Sequence, residues 1–142
     1  MNAKVKWVDK MRFLGTGGSG HALVMDTSLE SGGQASASTP MELCLMALMG
    51  CTGMDVVSIL KKMDLTWESF EMEIPEALRA EKHPMVFTKI HILFRFKGDL
   101  PEEKVAKAIA LSHEKYCSVG GMLGKTAQIT TEFIIEKPNQ NL

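Results

Sequence analysis

The feature that most constrains the fold is a long apolar stretch at residues 39–63, TPMELCLMALMGCTGMDVVSILKKM. Its start is marked by a capping box, Thr39-x-x-Glu42, with Pro40 at the first helical position. The residues that follow leave no polar stripe, so the pattern predicts a helix buried on all sides rather than an amphipathic surface helix. We therefore expect a central helix that the rest of the chain surrounds.

Two glycines interrupt this stretch. The first apolar run ends at Gly50-Cys51-Thr52-Gly53 and is followed by Asp55, so it is shorter than the roughly 18 apolar residues of a membrane span. Each glycine costs about 1 kcal/mol relative to alanine inside a helix. Their position on either side of Cys51 indicates a kink or a close approach of another part of the backbone. No membrane partner is expected.

Length and charge exclude several classes of protein. The 142 residues are expected to form a single domain, 1–142, because the chain is too short for a core plus a separate binding domain. With 16 basic and 17 acidic residues the net charge is −1, which gives no electrostatic footprint for nucleic acid. The N-terminus lacks the apolar segment of a signal peptide. We expect a cytoplasmic protein that binds no nucleic acid.

Alternation of polar and apolar residues predicts three strands before the central helix. These strands, at residues 4–8, 11–14 and 21–25, are expected to form a meander. The glycine run at 15–20 is interpreted as a flexible hairpin loop, because it lacks the Gly-Lys-Ser/Thr of a phosphate-binding loop. Residues 26–38, rich in Ser, Gly and Ala, are expected to form a mobile surface loop that could close over a site.

The second half of the chain predicts a hairpin, a helix and a last strand. The hairpin strands are expected near residues 67–74 and 84–96, and the connection between them allows either a loop or a helical turn. A second helix begins near Asp99, and its inward positions are Val105, Ala108, Ile109, Ser112 and Tyr116. A strand at 127–136 precedes a polar tail, 138–142. Because strands and helices do not alternate one by one, the order predicts an α+β fold.

Cys44, Cys51 and Cys117 are odd in number and widely spaced, which fits neither a disulfide framework nor a CxxC metal site. One interpretation is that they are small apolar core residues. The other is that Cys51 and Cys117 meet where the two helices cross and act as a dithiol, with Cys51 attacking a peroxide and Cys117 condensing with the product. Cys44, on nearly the same helix face as Cys51, could compete with Cys117 but is interpreted as core.

Two segments resemble the cysteine motifs of the OsmC/Ohr family. The first is TPMEL at 39–43 together with ALMGCT at 47–52, and the second is LSHEKYCSV at 111–119. The strand order agrees with this family over nearly the whole chain, and the match is nearest to its OsmC-like branch. The resemblance implies an intertwined homodimer, in which antiparallel sheets from both chains wrap around long central helices and the sites lie at the dimer interface.

The same resemblance implies a function. It points to a thiol-dependent peroxidase that reduces organic hydroperoxides in defence against oxidative stress. By carry-over, Cys51 is the peroxidatic and Cys117 the resolving cysteine. The implied partners are a small-molecule hydroperoxide, bound in an apolar site, and a dithiol reductant of the lipoyl type. We expect no metal and no other cofactor, since His21, His83 and His91 are too scattered to form a metal site.

Two residues of the family's pattern are displaced. In characterised members an arginine in the early glycine-rich segment and a glutamate directly after the helix-opening proline hold the reactive thiolate. Here Gly18 or Ser19 stands at the arginine position, and Met41 follows the proline. Arg12 is the possible substitute for the arginine. Glu42, one place late, is the possible substitute for the glutamate, although the capping box also explains it.

Two further residues are candidates to act on the thiols. His113 precedes Cys117 by four residues, so on an α-helix its ring would face that thiol and could accept a proton. Asp55 follows Cys51 by four residues and would place a carboxylate beside it, where an ionised carboxylate opposes thiolate formation. Because the arginine is displaced, an alternative function is a non-catalytic protein that binds a small apolar or sulfur-containing ligand at the dimer interface. A third is an interaction module with core cysteines.

Overall fold

The computed structural model describes residues 1–138, and the chain forms two compact units, Met1–Met46 and a second that begins at Ala47. Among these residues the fold is α+β, as predicted, and it contains two three-stranded sheets and three α-helices. The expected single domain stays a prediction. Residues 139–142 of the polar tail predicted after the last strand lie outside the described residues.

The first unit contains an antiparallel meander, which confirms the predicted topology. Its strands are β1 (Ala3–Asp9), β2 (Arg12–Gly17) and β3 (Ala22–Met25), in the order β1-β2-β3. The hairpin loop is shorter than predicted because β2 continues through Gly17. Gly20 lies in the turn with φ of 81°, a conformation that favours glycine.

The segment after β3 differs from the mobile loop predicted for 26–38. Asp26 is only 2% exposed, and its carboxylate accepts hydrogen bonds from the backbone N–H groups of Thr27, Gln34 and Ser36 and from the Ser36 hydroxyl. The Ser36 hydroxyl bond, at 2.6 Å, and the backbone N–H bonds lower the pKa of Asp26 to about 2. The segment, which includes a 3-10 turn at Leu29–Ser31, is therefore folded around a buried carboxylate.

The central helix α1 (Pro40–Lys62) begins at the predicted capping box. The Thr39 N–H donates to the Glu42 carboxylate at 2.6 Å, and the Glu42 N–H donates to the Thr39 hydroxyl at 3.2 Å. These hydrogen bonds lower the pKa of Glu42. The helix then continues without a break in its hydrogen-bonded structure through both internal glycines.

Only one face of α1 is buried within the chain. The fully buried side chains recur every fourth residue: Leu48, Thr52, Val56 and Leu60. Met54, on another face, is 76% exposed. The expectation of burial on all sides is therefore wrong for a single chain. Within one chain, other residues bury only the face of α1 on which every fourth residue lies.

The expectation that this stretch is too short for a membrane span is also wrong for the helix as formed. By length and composition alone, α1 could cross a membrane, because the helix continues past its glycines. This is weak evidence for a membrane protein, since the core helix of a soluble protein meets the same criterion.

The second unit is built on the sheet β4-β5-β6, formed by β4 (Ser69–Arg79), β5 (Phe87–Lys97) and β6 (Gln128–Glu136). β4 and β5 form the predicted antiparallel hairpin. β4 continues to Arg79, so the connection that the sequence left open holds no helical turn before that residue. β6 pairs with β5 in parallel, which corrects the expectation of antiparallel sheets. The helical crossover between the two strands is long enough to return the chain to the start of β5.

β5 supplies most of the core of this unit. Its buried residues are Phe87, Ile90, Ile92, Leu93, Phe94 and Phe96, which include adjacent positions on both faces of the strand. A strand buried on both faces is expected at the centre of a sheet with a parallel neighbour. The ring of Phe70 on β4 stacks on Phe96 with centroids 4.3 Å apart.

The crossover consists of α2 (Glu102–Leu111), a π-helical turn (Ser112–Tyr116) and α3 (Ser118–Leu123). Val105, Ala108 and Ile109 face inward, as predicted, but Tyr116 is 49% exposed. In the π-turn the Cys117 N–H donates to the Ser112 carbonyl, five residues back, at 2.8 Å. This turn holds one more residue than an α-helical turn, so Cys117 takes the inward position predicted for Tyr116.

Candidate active site

The structure brings together the two cysteines that the sequence paired. Cys51 lies at the middle of α1, and Cys117 is the N-cap residue of α3. Their Sγ atoms and a carboxylate oxygen of Asp55 all lie within 4.8 Å of one another. We call these three residues the thiol cluster. All of them belong to the second unit.

Cys117 is the more enclosed of the two thiols, at 6% exposure, whereas Cys51 is half-buried. The Cys117 Sγ accepts hydrogen bonds from the Thr52 hydroxyl at 3.3 Å and from the Gly120 N–H at 3.2 Å. Burial raises the pKa of Cys117, and the neighbouring Cys51 thiol raises it further, while the two donors lower it. The balance leaves the Cys117 pKa above that of an ordinary cysteine.

Gly120 allows this packing because it has no side chain. A Cβ atom at this position would lie 3.2 Å from the Cys117 Sγ and 3.6 Å from the Leu48 Cδ1. The absence of a side chain at Gly120 therefore permits the tight turn in which the Gly120 N–H donates to the Cys117 Sγ.

Asp55 is held in place by the π-turn. The buried hydroxyl of Ser112, the first residue of that turn, donates to the Asp55 Oδ2 at 2.9 Å. The sequence predicted that Asp55 would lie beside Cys51, and it does. The sequence alone did not indicate the contributions of Thr52, Ser112 and Gly120. Those of Thr52 and Ser112 depend on the contact between α1 and the crossover, and that of Gly120 depends on the turn at the start of α3.

The substitutes proposed for the displaced arginine and glutamate have other partners. Arg12 donates from Nε to the Asp9 Oδ1 at 2.6 Å and forms a second bond from Nη2 to the other carboxylate oxygen, and this pairing lowers the pKa of Asp9. Glu42 is engaged by Thr39 in the capping box. Both residues lie in the first unit. Their roles toward the thiol stay predictions.

The geometric argument for His113 is wrong, because it assumed an α-helical turn. The π-turn aligns Ser112, rather than His113, with Cys117. His113 is exposed, and no hydrogen bond joins it to a thiol in the part of the chain that the structure describes. A role in proton transfer stays an untested prediction. Cys44 is a half-buried free thiol outside the thiol cluster.

An open cleft of about 400 Å³ adjoins the thiol cluster. Asp55 is one of its lining residues, so the cleft and the thiol cluster share this residue. The other lining residues are Ser58, Ile59, Lys62, Met63, Leu111 and Tyr116. A mainly apolar cleft with one cationic group suits a small ligand that carries apolar carbon and some polar character.

Comparison with known proteins identifies the family. The model of the OsmC-like protein family matches residues 33–132, which include both cysteines of the thiol cluster. The chain belongs to the OsmC-like protein family. The chain is also similar to Protein YhfA of Escherichia coli K12, with 44% identity over 134 residues, 94% of this chain and 96% of YhfA.

Solved structures agree with the OsmC-like fold. A hypothetical protein from Aquifex aeolicus VF5 superposes with a TM-score of 0.84 at 26% identity, covering 97% of each chain. The Organic Hydroperoxide Resistance Protein OhrB of Bacillus subtilis superposes with a TM-score of 0.63 at 18% identity, covering 94% of this chain and 98% of OhrB. These OsmC-like matches do not suggest a membrane protein, despite the length and composition of α1.

Proposed function

We propose that this protein is a thiol-dependent peroxidase that reduces organic hydroperoxides through a Cys51/Cys117 dithiol-disulfide cycle. The observation that carries the proposal is the approach of the two sulfur atoms to within 4.8 Å of each other. Membership of a family whose solved relatives include an organic hydroperoxide resistance protein supports it. A role in defence against oxidative stress follows from such an activity.

The oxidative half of the cycle balances with these two thiols and the hydroperoxide. The Cys51 thiolate attacks the outer peroxide oxygen, the O–O bond breaks, and the products are the Cys51 sulfenic acid and an alcohol after one proton is taken up. The Cys117 sulfur then attacks the Cys51 sulfur. A disulfide forms, and the hydroxyl leaves as water with the Cys117 proton. An external dithiol, which we propose is of the lipoyl type, returns both thiols to the reduced state.

The assignment of the two roles rests on accessibility and ionisation. Cys51 is half-buried, whereas Cys117 is almost fully enclosed. Burial raises the Cys117 pKa, so at neutral pH this thiol stays mostly protonated and is poorly suited to attack a peroxide first. Cys51 is therefore the proposed peroxidatic cysteine, and Cys117 the resolving one.

The proposal includes a homodimer in the cytoplasm. The apolar residues of α1 that remain exposed within one chain, such as Met54, support a second copy as their cover. A hydroperoxide with an apolar organic group would suit the mainly apolar cleft beside Asp55.

The test is a count of free thiols before and after one equivalent of cumene hydroperoxide, followed by non-reducing peptide mapping. We expect the loss of two thiols and a Cys51–Cys117 cross-linked peptide. Cys51→Ser should abolish the reaction, whereas Cys44→Ser should leave it intact, since Cys44 lies outside the thiol cluster. Unchanged thiols in a folded protein, or a disulfide that requires Cys44, would contradict this mechanism.

The engagement of Arg12 by Asp9 favours the second candidate function. Without a guanidinium free to hold the Cys51 thiolate, the protein would bind a small apolar or sulfur-containing ligand at the dimer interface without turnover. In that case hydroperoxide leaves the thiols unchanged, while a thiol-containing ligand protects Cys51 from alkylation. The two functions therefore give opposite results in the same thiol assay.

A further inference from the structure

The thiol cluster has the composition of a metal site. Two sulfur ligands and one carboxylate oxygen lie within 4.8 Å of one another. Around a tetrahedral Zn²⁺, with Zn–S of about 2.3 Å and Zn–O of about 2.1 Å, these ligand atoms are separated by roughly 3.6–3.8 Å. The three groups therefore need to close by roughly 1.2 Å at most.

The ligand types select the class of ion. Thiolates favour Zn²⁺ and other thiophilic ions, whereas Mg²⁺, Ca²⁺ and Mn²⁺ prefer sites built from oxygen alone. The histidines play no part in this cluster, which is why their scatter in the sequence did not reveal it. Of the ions available to such a site, Zn²⁺ fits two thiolates and one carboxylate best.

Neighbouring groups already orient two of the three ligands. The Ser112 hydroxyl donates to the Asp55 Oδ2, and the Thr52 hydroxyl and the Gly120 N–H donate to the Cys117 Sγ. Hydrogen bonds of this kind fix the geometry of metal ligands and are part of the affinity of metal sites. This support distinguishes the cluster from an exposed group of acidic residues.

From these observations we propose that Cys51, Asp55 and Cys117 bind one Zn²⁺ ion. Asp55 also lines the 400 Å³ cleft, and in this proposal water or a small ligand from the cleft supplies the fourth ligand. The site is thus an open one. Metal binding is a function beyond peroxide reduction and does not depend on it.

Binding has a chemical consequence for the thiols. Both cysteines bind as thiolates, so each ion that enters releases two protons in exchange, and affinity rises with pH. The same sulfur atoms form the proposed disulfide. The metal-bound and the disulfide states therefore exclude each other, and Zn²⁺ protects both thiols from oxidation.

The test uses Co²⁺ as a spectroscopic probe for the Zn²⁺ site, added to the fully reduced protein without oxygen. We expect one Co²⁺ per chain, with thiolate-to-metal charge-transfer bands in the near ultraviolet and the strong visible bands of tetrahedral Co²⁺. Zn²⁺ should displace the probe and abolish these bands. Absence of thiolate-to-metal bands, or a ratio far from one ion per chain, would overturn the proposal.

Variants assign the ligands. Cys51→Ser and Cys117→Ser should remove the charge-transfer bands, Asp55→Asn should weaken Co²⁺ binding by at least about tenfold, and Ser112→Ala by roughly tenfold. Circular dichroism confirms that each variant is folded. Cys44→Ser is the matched control, since it removes a thiol of the same helix outside the cluster, and it should bind as the wild type does. Equal loss in this control, or no loss in Asp55→Asn, would refute the assignment.

The metal test is independent of the peroxidase test. If hydroperoxide leaves the thiols of the reduced, metal-free protein unchanged but Co²⁺ binds as expected, the peroxidase proposal fails and the metal site stands. If Co²⁺ gives no bands while the Cys51–Cys117 disulfide forms, the metal site fails and the peroxidase proposal stands.

Discussion

At the scale of single residues, the ionisation of Cys117 depends on one hydroxyl group. Thr52 donates to the Cys117 Sγ from the buried row of α1, and this bond opposes the increase in pKa that burial causes. A hydrogen bond to a charged group is worth about 1.5–3 kcal/mol. Its loss should therefore reduce the thiolate population of Cys117 by roughly 10- to 100-fold at a given pH.

The variant Thr52→Val tests this dependence, because valine has nearly the same shape and no hydroxyl. In a Cys44→Ser, Cys51→Ser background, where Cys117 is the single thiol, the pH profile of alkylation should move to higher pH. Ser58→Ala, which removes an exposed hydroxyl from the same helix, is the control and should leave the profile in place. An unchanged profile in Thr52→Val would show that this bond does not stabilise the thiolate.

Asp26 leads to a prediction about acid stability. Its pKa of about 2 in the folded protein is below the ordinary value of 3.8, because the Ser36 hydroxyl and backbone amides bond to its charged form. A lowered pKa gives stability that is fully present above the unfolded-state pKa and is lost as the pH falls through the folded-state pKa. Stability in urea should therefore fall between about pH 4 and pH 2.

Asp26→Asn should remove this acid-dependent component and should also be less stable than the wild type at pH 7, since an amide group would face the backbone donors of Gln34 and Ser36. Asp64→Asn, at an exposed position, is the control and should retain the wild-type pH dependence. A wild-type pH dependence in Asp26→Asn would contradict the linkage.

These residues show which local details a sequence can give. The capping box of Thr39 and Glu42 was predictable because both partners lie within one turn and the hydrogen bonds are fixed by spacing. The partners of Asp26 lie up to ten residues away, and Thr52 meets a thiol 65 residues along the chain. Such hydrogen-bonded pairs depend on the fold, and residue types alone do not predict them.

At the scale of elements, strand alternation and helix periodicity predicted the order of the strands and of the two longer helices among the described residues. The predictions failed where the conformation of one element determines which residues of the next face inward, or the direction in which the next strand runs. The π-turn moves Cys117 inward and leaves Tyr116 at the surface, although the i, i+4 pattern favoured Tyr116. The parallel pairing of β6 depends on the path of the crossover, which periodicity does not report.

At the two glycines of α1, an added side chain is expected to have opposite effects on stability. A Cβ at Gly53 would lie 3.0 Å from the Met72 Sδ, whereas a Cβ at Gly50 meets nothing within 4 Å in the chain. Gly53→Val should therefore destabilise the protein by about 1–3 kcal/mol through overpacking against β4. Gly50→Ala should stabilise it by roughly 0.5–1 kcal/mol, because alanine is the better helix former.

Urea unfolding of the two variants measures these differences, with the slope of the transition checked for two-state behaviour. A stable Gly53→Val would show that α1 and β4 do not approach as closely as the structure has them. A destabilised Gly50→Ala would indicate that another group, such as a second chain, occupies the space beside Gly50.

At the scale of the whole molecule, the described chain leaves much apolar surface uncovered. Exposed side chains of the first unit include Val5, Trp7, Phe13, Leu23 and Val24, and α1 leaves Met54 exposed in the second. Soluble monomers seldom expose so many large apolar residues on neighbouring strands. The expectation that α1 is buried on all sides is therefore consistent with an oligomer. We propose that a second copy of the chain covers these apolar side chains.

Met54→Glu tests this proposal on the central helix. The wild type should have twice the 15.7 kDa mass of the chain in light scattering coupled to size exclusion. A carboxylate placed in an apolar interface without a partner is costly, so Met54→Glu should weaken the dimer by at least about tenfold and yield monomer on dilution. Lys104→Glu, which introduces the same residue on the exposed face of α2, is the control and should remain a dimer. A monomeric wild type, or a Met54→Glu dimer of unchanged affinity, would mean that α1 is not covered by a second copy at this position.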